Sequence, residues 1–253
     1  MAISKKLSAC VILAFLAAPA AAVAQDMEIS EEDKAKLAAL TAFLDGLDAL
    51  LPTINRVDPA SLPVTFPFRE VQEHVVVDVA FGDDDPLPFM FDTGAPTLIT
   101  EEIGDAHAGA VLVEQIAAAG GGKFLWYPVV QVPSITVGGA VTISDAMAEI
   151  GWASAGAFYC ITGSGLFGAS TMRNAVWQID YGAQEITVAA SADQLDHIDG
   201  AIALPFTHKD PSLSPSPVIE LGVGGGKLTV IVDTGGGIPL TINSAAFAAL
   251  GLE

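Results

Sequence analysis

Cysteine is scarce in this 253-residue chain, which contains only Cys10 and Cys160. Cys10 lies in an N-terminal segment that we expect to be removed, so the mature chain would keep Cys160 alone. A single cysteine cannot form an internal disulfide bond. The apolar neighbours Phe158, Tyr159 and Ile161 predict that Cys160 is a buried structural thiol rather than a nucleophile.

Basic residues are also few, with 10 Lys and Arg against 30 Asp and Glu and a formal net charge of −20. Such a balance repels phosphate backbones and anionic lipid headgroups. Binding to nucleic acid or to a membrane surface is therefore disfavoured. Neutral or cationic partners suit this charge, although the charge alone identifies no substrate.

Several common catalytic motifs are missing. The sequence has no His-Glu-x-x-His metal motif and no Gly-x-Ser-x-Gly elbow, and Leu228 follows Gly226-Lys227 where a phosphate loop needs Ser or Thr. We therefore expect neither a metal nor another cofactor. The four histidines show no ligand spacing and are expected to be surface or core residues: His74, His107, His197 and His208.

The N-terminus is typical of a secretory signal peptide. Lys5-Lys6 precede an apolar run from Leu7 to Leu16, and small residues end in Ala22-Val23-Ala24. This pattern predicts a signal peptide over residues 1–24, cleaved before Gln25, and the apolar run is too short to span a membrane. We expect an exported protein, periplasmic or extracellular, with no stable membrane insertion after cleavage.

Residues 25–60 form an N-terminal segment with helical periodicity. Ser30 can cap a helix, acids fill the first turn, leucines recur three and four residues apart up to Leu51, and Pro52 ends the pattern. A helix that packs on the body of the protein is the favoured interpretation. An inhibitory, removable pro-segment and a dimer contact are the alternatives.

One sequence pattern occurs twice and organises the rest of the chain. Phe89 to Thr100 and Val230 to Ile242 each contain an apolar run, the triplet Asp-Thr-Gly and a second apolar run. Each aspartate, Asp92 and Asp233, should therefore be buried, where an isolated charge is costly unless it is shared or hydrogen-bonded. Two such aspartates suggest a pair.

Apolar residues before Asp-Thr-Gly and a second apolar run resemble the active-site motif of pepsin-like and retropepsin-like aspartic proteases. The resemblance covers roughly residues 62 to 253 and implies an all-β, bilobal fold of β-barrel lobes, preceded here by the N-terminal helix. It implies an endopeptidase whose dyad, Asp92 and Asp233, hydrolyses peptide bonds with an activated water, and the signal-peptide pattern predicts that this enzyme is exported. Thr93 and Thr234 would bond across the lobe interface, and Gly94 and Gly235 would present N–H groups to the carboxylates.

Two further elements acquire roles through the same resemblance. The strands Val111–Ile116 and Phe124–Tyr127 surround a glycine-rich tip and would form the flap over the substrate; its named residues are Gly120, Gly121, Gly122, Trp126 and Tyr127. Either aromatic residue could contact the substrate, and an ordinary mobile loop is the alternative. The run Gly165-Leu166-Phe167-Gly168 would cross beneath the catalytic loop, with Leu166 and Phe167 walling Asp92 from solvent and Gly168 allowing close backbone approach.

The remaining pattern divides the chain into domains. Strands are predicted at 75–81 and 87–91, at 132–137 and 141–143, and at 175–182 and 185–188, as three hairpins. We assign residues 61–190 to the first lobe, 191–202 to a linker and 203–253 to the start of a second lobe. Val218 to Gly224 echoes Val76 to Gly82, but only residues 234–253 follow the second aspartate, ending in a helix-like stretch. Either the chain is a fragment of a longer protein or its second lobe is degenerate, and the fragment is the favoured interpretation.

The sequence departs from the pepsin pattern after each triplet. Ala95 and Gly236 stand where pepsins carry a supporting hydroxyl, although retroviral relatives also use Ala there. Peptides or proteins are the expected substrates, and the protein is expected to be a monomer or a homodimer. Two alternatives stay open: an inactive, fold-retaining protein that binds a peptide or another subunit, and a homodimeric retropepsin-like enzyme that uses Asp92 alone.

Overall fold

The computed structural model describes residues 30–119, 123–151, 160–208, 213, 215–223, 226–236, 241 and 247. The predicted signal peptide, the flap tip Gly120–Gly122 and most of the helix-like stretch after Asp233 lie outside these residues. The described chain is mostly β with one long N-terminal helix, as the all-β prediction required. The helices are α1 (Glu31–Leu50) and α2 (Glu101–His107).

Fifteen strands make up three sheets in the described part of the chain. In order, they are β1 (Arg56–Val57), β2 (Val64–Pro67), β3 (Arg69–Val71), β4 (His74–Phe81), β5 (Leu87–Asp92), β6 (Leu98–Ile99), β7 (Val111–Ala119), β8 (Lys123–Val137), β9 (Val141–Ile150), β10 (Gly165–Gly168), β11 (Val176–Asp180), β12 (Glu185–Ala189), β13 (Thr207–His208), β14 (Pro217–Val223) and β15 (Gly226–Ile231).

Helix α1 follows from its capping residue and its apolar stripe. The Ser30 hydroxyl accepts a hydrogen bond from the backbone N–H of Asp33 at 3.0 Å, and three acids occupy the first turn. The helix ends at Leu50, where a short 3₁₀ turn containing Pro52 begins. Leu40, Phe43 and Leu44 contribute to an apolar cluster with residues of the sheet. The prediction of a helix that packs on the body is confirmed.

Six strands of the largest sheet form a closed cycle of pairings. Around the cycle, β4 pairs with β5, β5 with β10, β10 with β6, β6 with β9, β9 with β8, and β8 with β4. The β5–β10 and β6–β9 pairs are parallel, and the other four are antiparallel. The strands β1, β3 and β7 extend this nine-stranded sheet at its margins.

The core of this sheet is apolar and aromatic. Phe91 and Phe167 are fully buried, and their ring centroids lie 5.8 Å apart. The Trp177 ring completes the group at 5.7 Å from Phe91 and 5.4 Å from Phe167. Phe91 directly precedes Asp92, and Phe167 lies opposite Phe91 in the β5–β10 register. The packing of these rings therefore fixes the end of β5, which carries the aspartate.

The three hairpins predicted in the first lobe are confirmed as β4–β5, β8–β9 and β11–β12. The predicted flap strands also pair as β7–β8, from Val111 and Val130 to Ala119 and Lys123. One difference is that β8 is a single 15-residue strand that continues through Pro128. Pairing of β8 with β9 begins at Val129, so Pro128 has only β7 beside it. Because proline has no backbone N–H, it can occupy this position without removing a hydrogen bond to β9.

Two smaller sheets complete the described chain. One has the order β11-β12-β2, and the other has the order β13-β14-β15. The β14–β15 hairpin leads into Asp233 as β4–β5 leads into Asp92, with Val218 opposite Ile231 and Val223 opposite Gly226. The two aspartates therefore follow hairpins of the same plan, as the sequence repeat indicated.

The prediction of a buried Cys160 is wrong, because this residue is exposed. It lies at a turn that precedes β10 rather than inside a strand. Apolar sequence neighbours predict burial when they alternate along a regular element, and a turn does not impose that alternation.

Candidate active site

The loop that carries Asp92 connects β5 to β6, and β10 lies between these two strands. Leu166, Phe167 and Gly168 are in parallel register with Met90, Phe91 and Asp92, whereas Gly165 and Leu166 pair antiparallel with Ile99 and Leu98. A Cβ atom at Gly168 would overlap the backbone of Ala95 and Pro96. Glycine is therefore required where this strand passes the aspartate loop.

Thr93 and Thr234 join the two aspartate loops by reciprocal hydrogen bonds. The Thr93 hydroxyl donates to the carbonyl of Val232 at 2.7 Å and accepts from the N–H of Thr234 at 3.1 Å. The Thr234 hydroxyl donates to the carbonyl of Phe91 at 2.9 Å and accepts from the N–H of Thr93 at 3.0 Å. The two loops are thus held together with the same contacts on each side.

Gly94 and Gly235 hold the carboxylates and leave room for them. Each backbone N–H donates to the aspartate two residues earlier at 2.8 Å, from Gly94 to Asp92 Oδ1 and from Gly235 to Asp233 Oδ1. A Cβ atom at Gly94 would lie 2.5 Å from Asp233 Oδ1, and one at Gly235 would lie 2.7 Å from Asp92 Oδ1. Each glycine therefore lies against the carboxyl group of the opposite aspartate. The absence of a side chain at both positions lets the two carboxyl groups approach each other.

The two carboxyl groups share a hydrogen bond, and their surroundings differ. Asp92 is only 7% exposed. Burial, then the charge of Asp233 and the hydrogen bond with it, raise the pKa of Asp92 to about 7, against the opposing N–H bonds of Gly94 and Ala95. A carboxyl group in this position holds a proton at mildly acidic pH and can donate it.

Asp233 is exposed, contrary to the expectation that both aspartates are buried. It follows β15, in which only Leu228 is buried, and the neighbouring Val232 is 42% exposed. The apolar run before Asp233 lies in a three-stranded sheet, so its side chains are covered less than those of β5 in the nine-stranded sheet.

Sequence reasoning missed a polar cluster behind the Asp92 loop. The Thr97 N–H donates to Ser170 Oγ at 2.8 Å, the hydroxyls of Thr97 and Thr171 lie 2.7 Å apart, and the Gly168 N–H donates to Thr97 Oγ1 at 2.9 Å. The hydroxyl of Ser216 donates to the Gly94 carbonyl at 3.0 Å. Thr97 is a polar residue directly before the buried strand residues Leu98 and Ile99, and this was the available signal in the sequence.

The predicted flap aromatics lie on β8, and Trp126 contacts α1. The Trp126 indole N–H donates to Asp33 Oδ1 at 2.7 Å, and the Lys36 ammonium lies 5.6 Å from the centre of its ring. Lys36 also pairs with Glu114 on β7 at 3.1 Å. Tyr127 is partly buried and faces Gly151. The α1 helix thus lies against the hairpin that was predicted to be the flap.

Among the residues that the structure describes, no three His, Cys, Asp or Glu side chains converge in a way that could hold a metal ion. Neither described helix has the length and apolar character that a membrane crossing requires.

Comparison with known proteins yields a match at the level of structure. No protein-family model matches the chain, and no curated protein matches it. Among solved structures, the chain is similar to the crystal structure of a retropepsin-like aspartic protease from Rickettsia conorii. The sequence identity is 16% and the TM-score is 0.34, and the similarity covers 53% of this chain and 91% of that chain.

Proposed function

We propose that this protein is an exported aspartic endopeptidase that hydrolyses peptide bonds with Asp92 and Asp233. The observation that carries the proposal is the reciprocal arrangement of Thr93, Gly94, Thr234 and Gly235, which brings two carboxyl groups into hydrogen-bond contact. A structural salt bridge or a surface turn would not need two loops of equivalent geometry around two acids. General acid–base chemistry with a shared proton does need two carboxyl groups within hydrogen-bond reach of each other, and these loops provide that.

In the proposed reaction the two aspartates have different roles. Asp92 is buried and holds the proton, so it donates to the carbonyl oxygen of the scissile peptide. Asp233 is exposed to solvent and accepts a proton from the water that attacks the carbonyl carbon. The gem-diol intermediate then collapses: the newly protonated Asp233 gives its proton to the leaving amine nitrogen as the C–N bond breaks, and a hydroxyl of the intermediate returns a proton to Asp92. Two carboxyl groups share one proton in the same way in the pepsin dyad.

The six-stranded cycle is proposed to be the first β-barrel lobe of a bilobal fold, and β13–β15 the beginning of the second. In this assignment Leu166 and Phe167, which are both buried, shield the back of the Asp92 loop, and Gly168 permits the close approach of β10. The β7–β8 hairpin is proposed to be the flap. The hydrogen bonds between the two loops lie within one chain, which favours a monomeric site over a homodimer that uses Asp92 alone.

The proposed substrate is a peptide or an unfolded protein segment outside the cytoplasm. Export rests on the signal-peptide pattern of residues 1–24, and it is tested by the N-terminal sequence of the secreted protein, which should begin at Gln25.

Cleavage of a peptide mixture across acidic and neutral pH tests the proposed activity. We expect the unmodified protein to release new peptide N-termini and Asp92→Asn to abolish this release. Asp78→Asn is the matched control, because Asp78 is an exposed aspartate that pairs with Arg69 on the same sheet. Cleavage that survives Asp92→Asn, or an inactive unmodified protein, would overturn the proposal.

A further inference from the structure

Asn55 is a fully buried polar residue between the 3₁₀ turn that follows α1 and the first residue of β1. Its φ angle of 51° lies in the left-handed region, which asparagine enters more readily than most residues. Both polar atoms of its side chain are used. Nδ2 donates to the carbonyl of Ser170 at 2.8 Å, and Oδ1 accepts the N–H of Met147 at 2.7 Å. The side chain therefore joins the N-terminal segment to two distant parts of the chain.

Ser170 lies directly behind the loop that carries Asp92. The N–H of its neighbour Ala169 donates to the carbonyl of Ala95 at 2.8 Å. Ala95 in turn donates its own N–H to the Asp92 carboxyl group. The contacts that lead from the Asn55 side chain to this carboxyl group thus pass through two adjacent residues and one residue of the aspartate loop.

The hydroxyl of Ser170 makes a second contact with the same loop. It accepts the N–H of Thr97 at 2.8 Å and donates to the carbonyl of Met147 at 3.3 Å. Since Met147 also donates to Asn55, three buried residues form a closed ring of hydrogen bonds: Asn55, Met147 and Ser170. A satisfied polar network in the interior favours one arrangement, because the loss of one member leaves buried groups without partners.

The segment that contains Asn55 is also held at other points. The Asn174 side chain donates to the carbonyls of Ile54 and Asn55, both at 3.0 Å, and β1 pairs with β9. Near the start of α1, the Asp33 carboxylate accepts the indole N–H of Trp126. Removal of residues 25–60 as a pro-segment would break these contacts and would open the buried ring behind the aspartate loop.

We infer that Asn55 is a positioning residue for the proposed dyad, and that the N-terminal segment that carries it stays in the active enzyme. This inference rests on the proposed function. Asn55 holds the Ser170 carbonyl, and residues 169–170 hold the aspartate loop at residues 95–97. The loop is thereby kept where Asp92 can share its hydrogen bond with Asp233.

A role in the turn alone is the alternative for Asn55. In that case the residue is needed only because it adopts a left-handed conformation before β1. Glycine adopts this conformation at no steric cost, so Asn55→Gly keeps the turn and removes the side chain. The two roles are therefore separated by this one variant.

The experiment measures kcat and KM on one cleaved peptide for Asn55→Gly, Ser170→Ala, the double variant and Asn174→Ala. Displacement of a reacting group lowers the rate steeply, so we expect about a tenfold fall in kcat in each of the first two, with KM nearly unchanged. The double variant should lose little more than either single variant, because both act through one set of contacts. Asn174→Ala is the matched control, since it loses two hydrogen bonds to the same segment and leaves the ring intact.

Two further measurements do not depend on the kinetics. The amide hydrogen of Thr97 should exchange faster in Asn55→Gly than in Asn174→Ala, under conditions in which urea unfolding gives both variants the same stability. The N-terminal sequence of the active, unmodified protein should begin before Asn55. This second measurement decides the matter if Asn55→Gly does not fold.

The inference is overturned if Asn55→Gly keeps its kcat, if Asn174→Ala loses as much, or if the losses of the two single variants multiply in the double variant. An active form that begins after Asn55 would overturn it as well. All these results leave the proposed protease activity intact. An unmodified protein that cleaves no peptide would instead contradict the proposed function, and the exchange of Thr97 would still show whether Asn55 holds the loop.

Discussion

Thr93 and Thr234 each donate a hydroxyl hydrogen bond to the carbonyl of the residue that precedes the other's aspartate, Val232 at 2.7 Å and Phe91 at 2.9 Å. Each hydroxyl also accepts the backbone N–H of the other threonine, at 3.1 and 3.0 Å. The relative position of Asp92 and Asp233 therefore depends on two side chains that do not themselves carry out the proposed chemistry. The contact is symmetric although the two strands that lead into it are buried to different extents.

Replacing Thr93 with Val should weaken the hydrogen bonding that holds the two aspartate loops together. The substitution removes one donated and one accepted hydrogen bond, each of which contributes about 1 kcal/mol. We expect kcat/KM to fall at least tenfold and Thr93→Ser, which keeps the hydroxyl, to retain most activity. Thr65→Val is the control, because it breaks a 2.8 Å hydroxyl pair with Thr187 on an exposed sheet face away from the dyad. Equal losses in Thr93→Val and Thr65→Val would contradict this role.

Adding a methyl group at either motif glycine should abolish activity. A Cβ atom at Gly94 or at Gly235 would overlap the opposite carboxyl group, so the two acids could not keep their contact. Gly222→Ala on β14 is the matched control, because no atom lies within 4 Å of a Cβ placed there. Cleavage of a reporter peptide measures the effect, and substantial activity in Gly94→Ala would show that the acids need not approach each other.

The raised pKa of Asp92 predicts how activity and stability depend on pH. The folded protein keeps a proton on Asp92 up to about pH 7, whereas the unfolded chain releases it near 3.8. The free energy of unfolding should therefore fall as the pH rises from about 3.8 to 7, by at most about 1.4 kcal/mol for each pH unit in that window. Activity should decline above pH 7, where the proton donor is lost. Denaturant unfolding of Asp92→Asn should lack this component, and an unchanged pH profile would be inconsistent with a buried, protonated Asp92.

Glu149 should make a separate contribution to the pH dependence of stability, in a pH range that extends above that of Asp92. Its pKa is raised from 4.5 to about 8 by burial, so the folded state binds the extra proton between these values. Stability should again decrease as the pH rises through that window. Glu149→Gln is neutral at every pH and should flatten the profile most clearly between pH 7 and 8, above the range of Asp92. Urea unfolding at pH 5, 7 and 8 measures this, and parallel profiles for both proteins would exclude a buried ionisable Glu149.

Much of the fold follows from local patterns in the sequence. The capping of α1 by Ser30, the apolar runs of β4 and β5, and the turns between hairpin strands depend on residues close to one another along the chain. The repetition of Asp-Thr-Gly also indicated that two loops would meet. These features could be predicted because each is determined by a few neighbouring side chains and by the backbone periods of helix and strand.

Other features depend on contacts between distant parts of the chain and were not predicted. The exposure of Asp233 depends on what covers β15, and the continuity of β8 through Pro128 depends on the absence of a β9 partner at that position. The surroundings of Glu149 include residues as distant along the chain as Pro96 and Leu213. No local pattern in the sequence reports such surroundings, because burial is set by the assembled sheets.

The central claim is that Asp92 and Asp233 of one chain form a single dyad. Its most direct test is the activity of Asp233→Asn together with the mass of the active species in solution. We expect that Asp233→Asn lowers kcat/KM by at least a hundredfold, that the unmodified protein is active as a monomer, and that mixing Asp92→Asn with Asp233→Asn restores nothing. Full activity of Asp233→Asn in a dimeric species would contradict the claim.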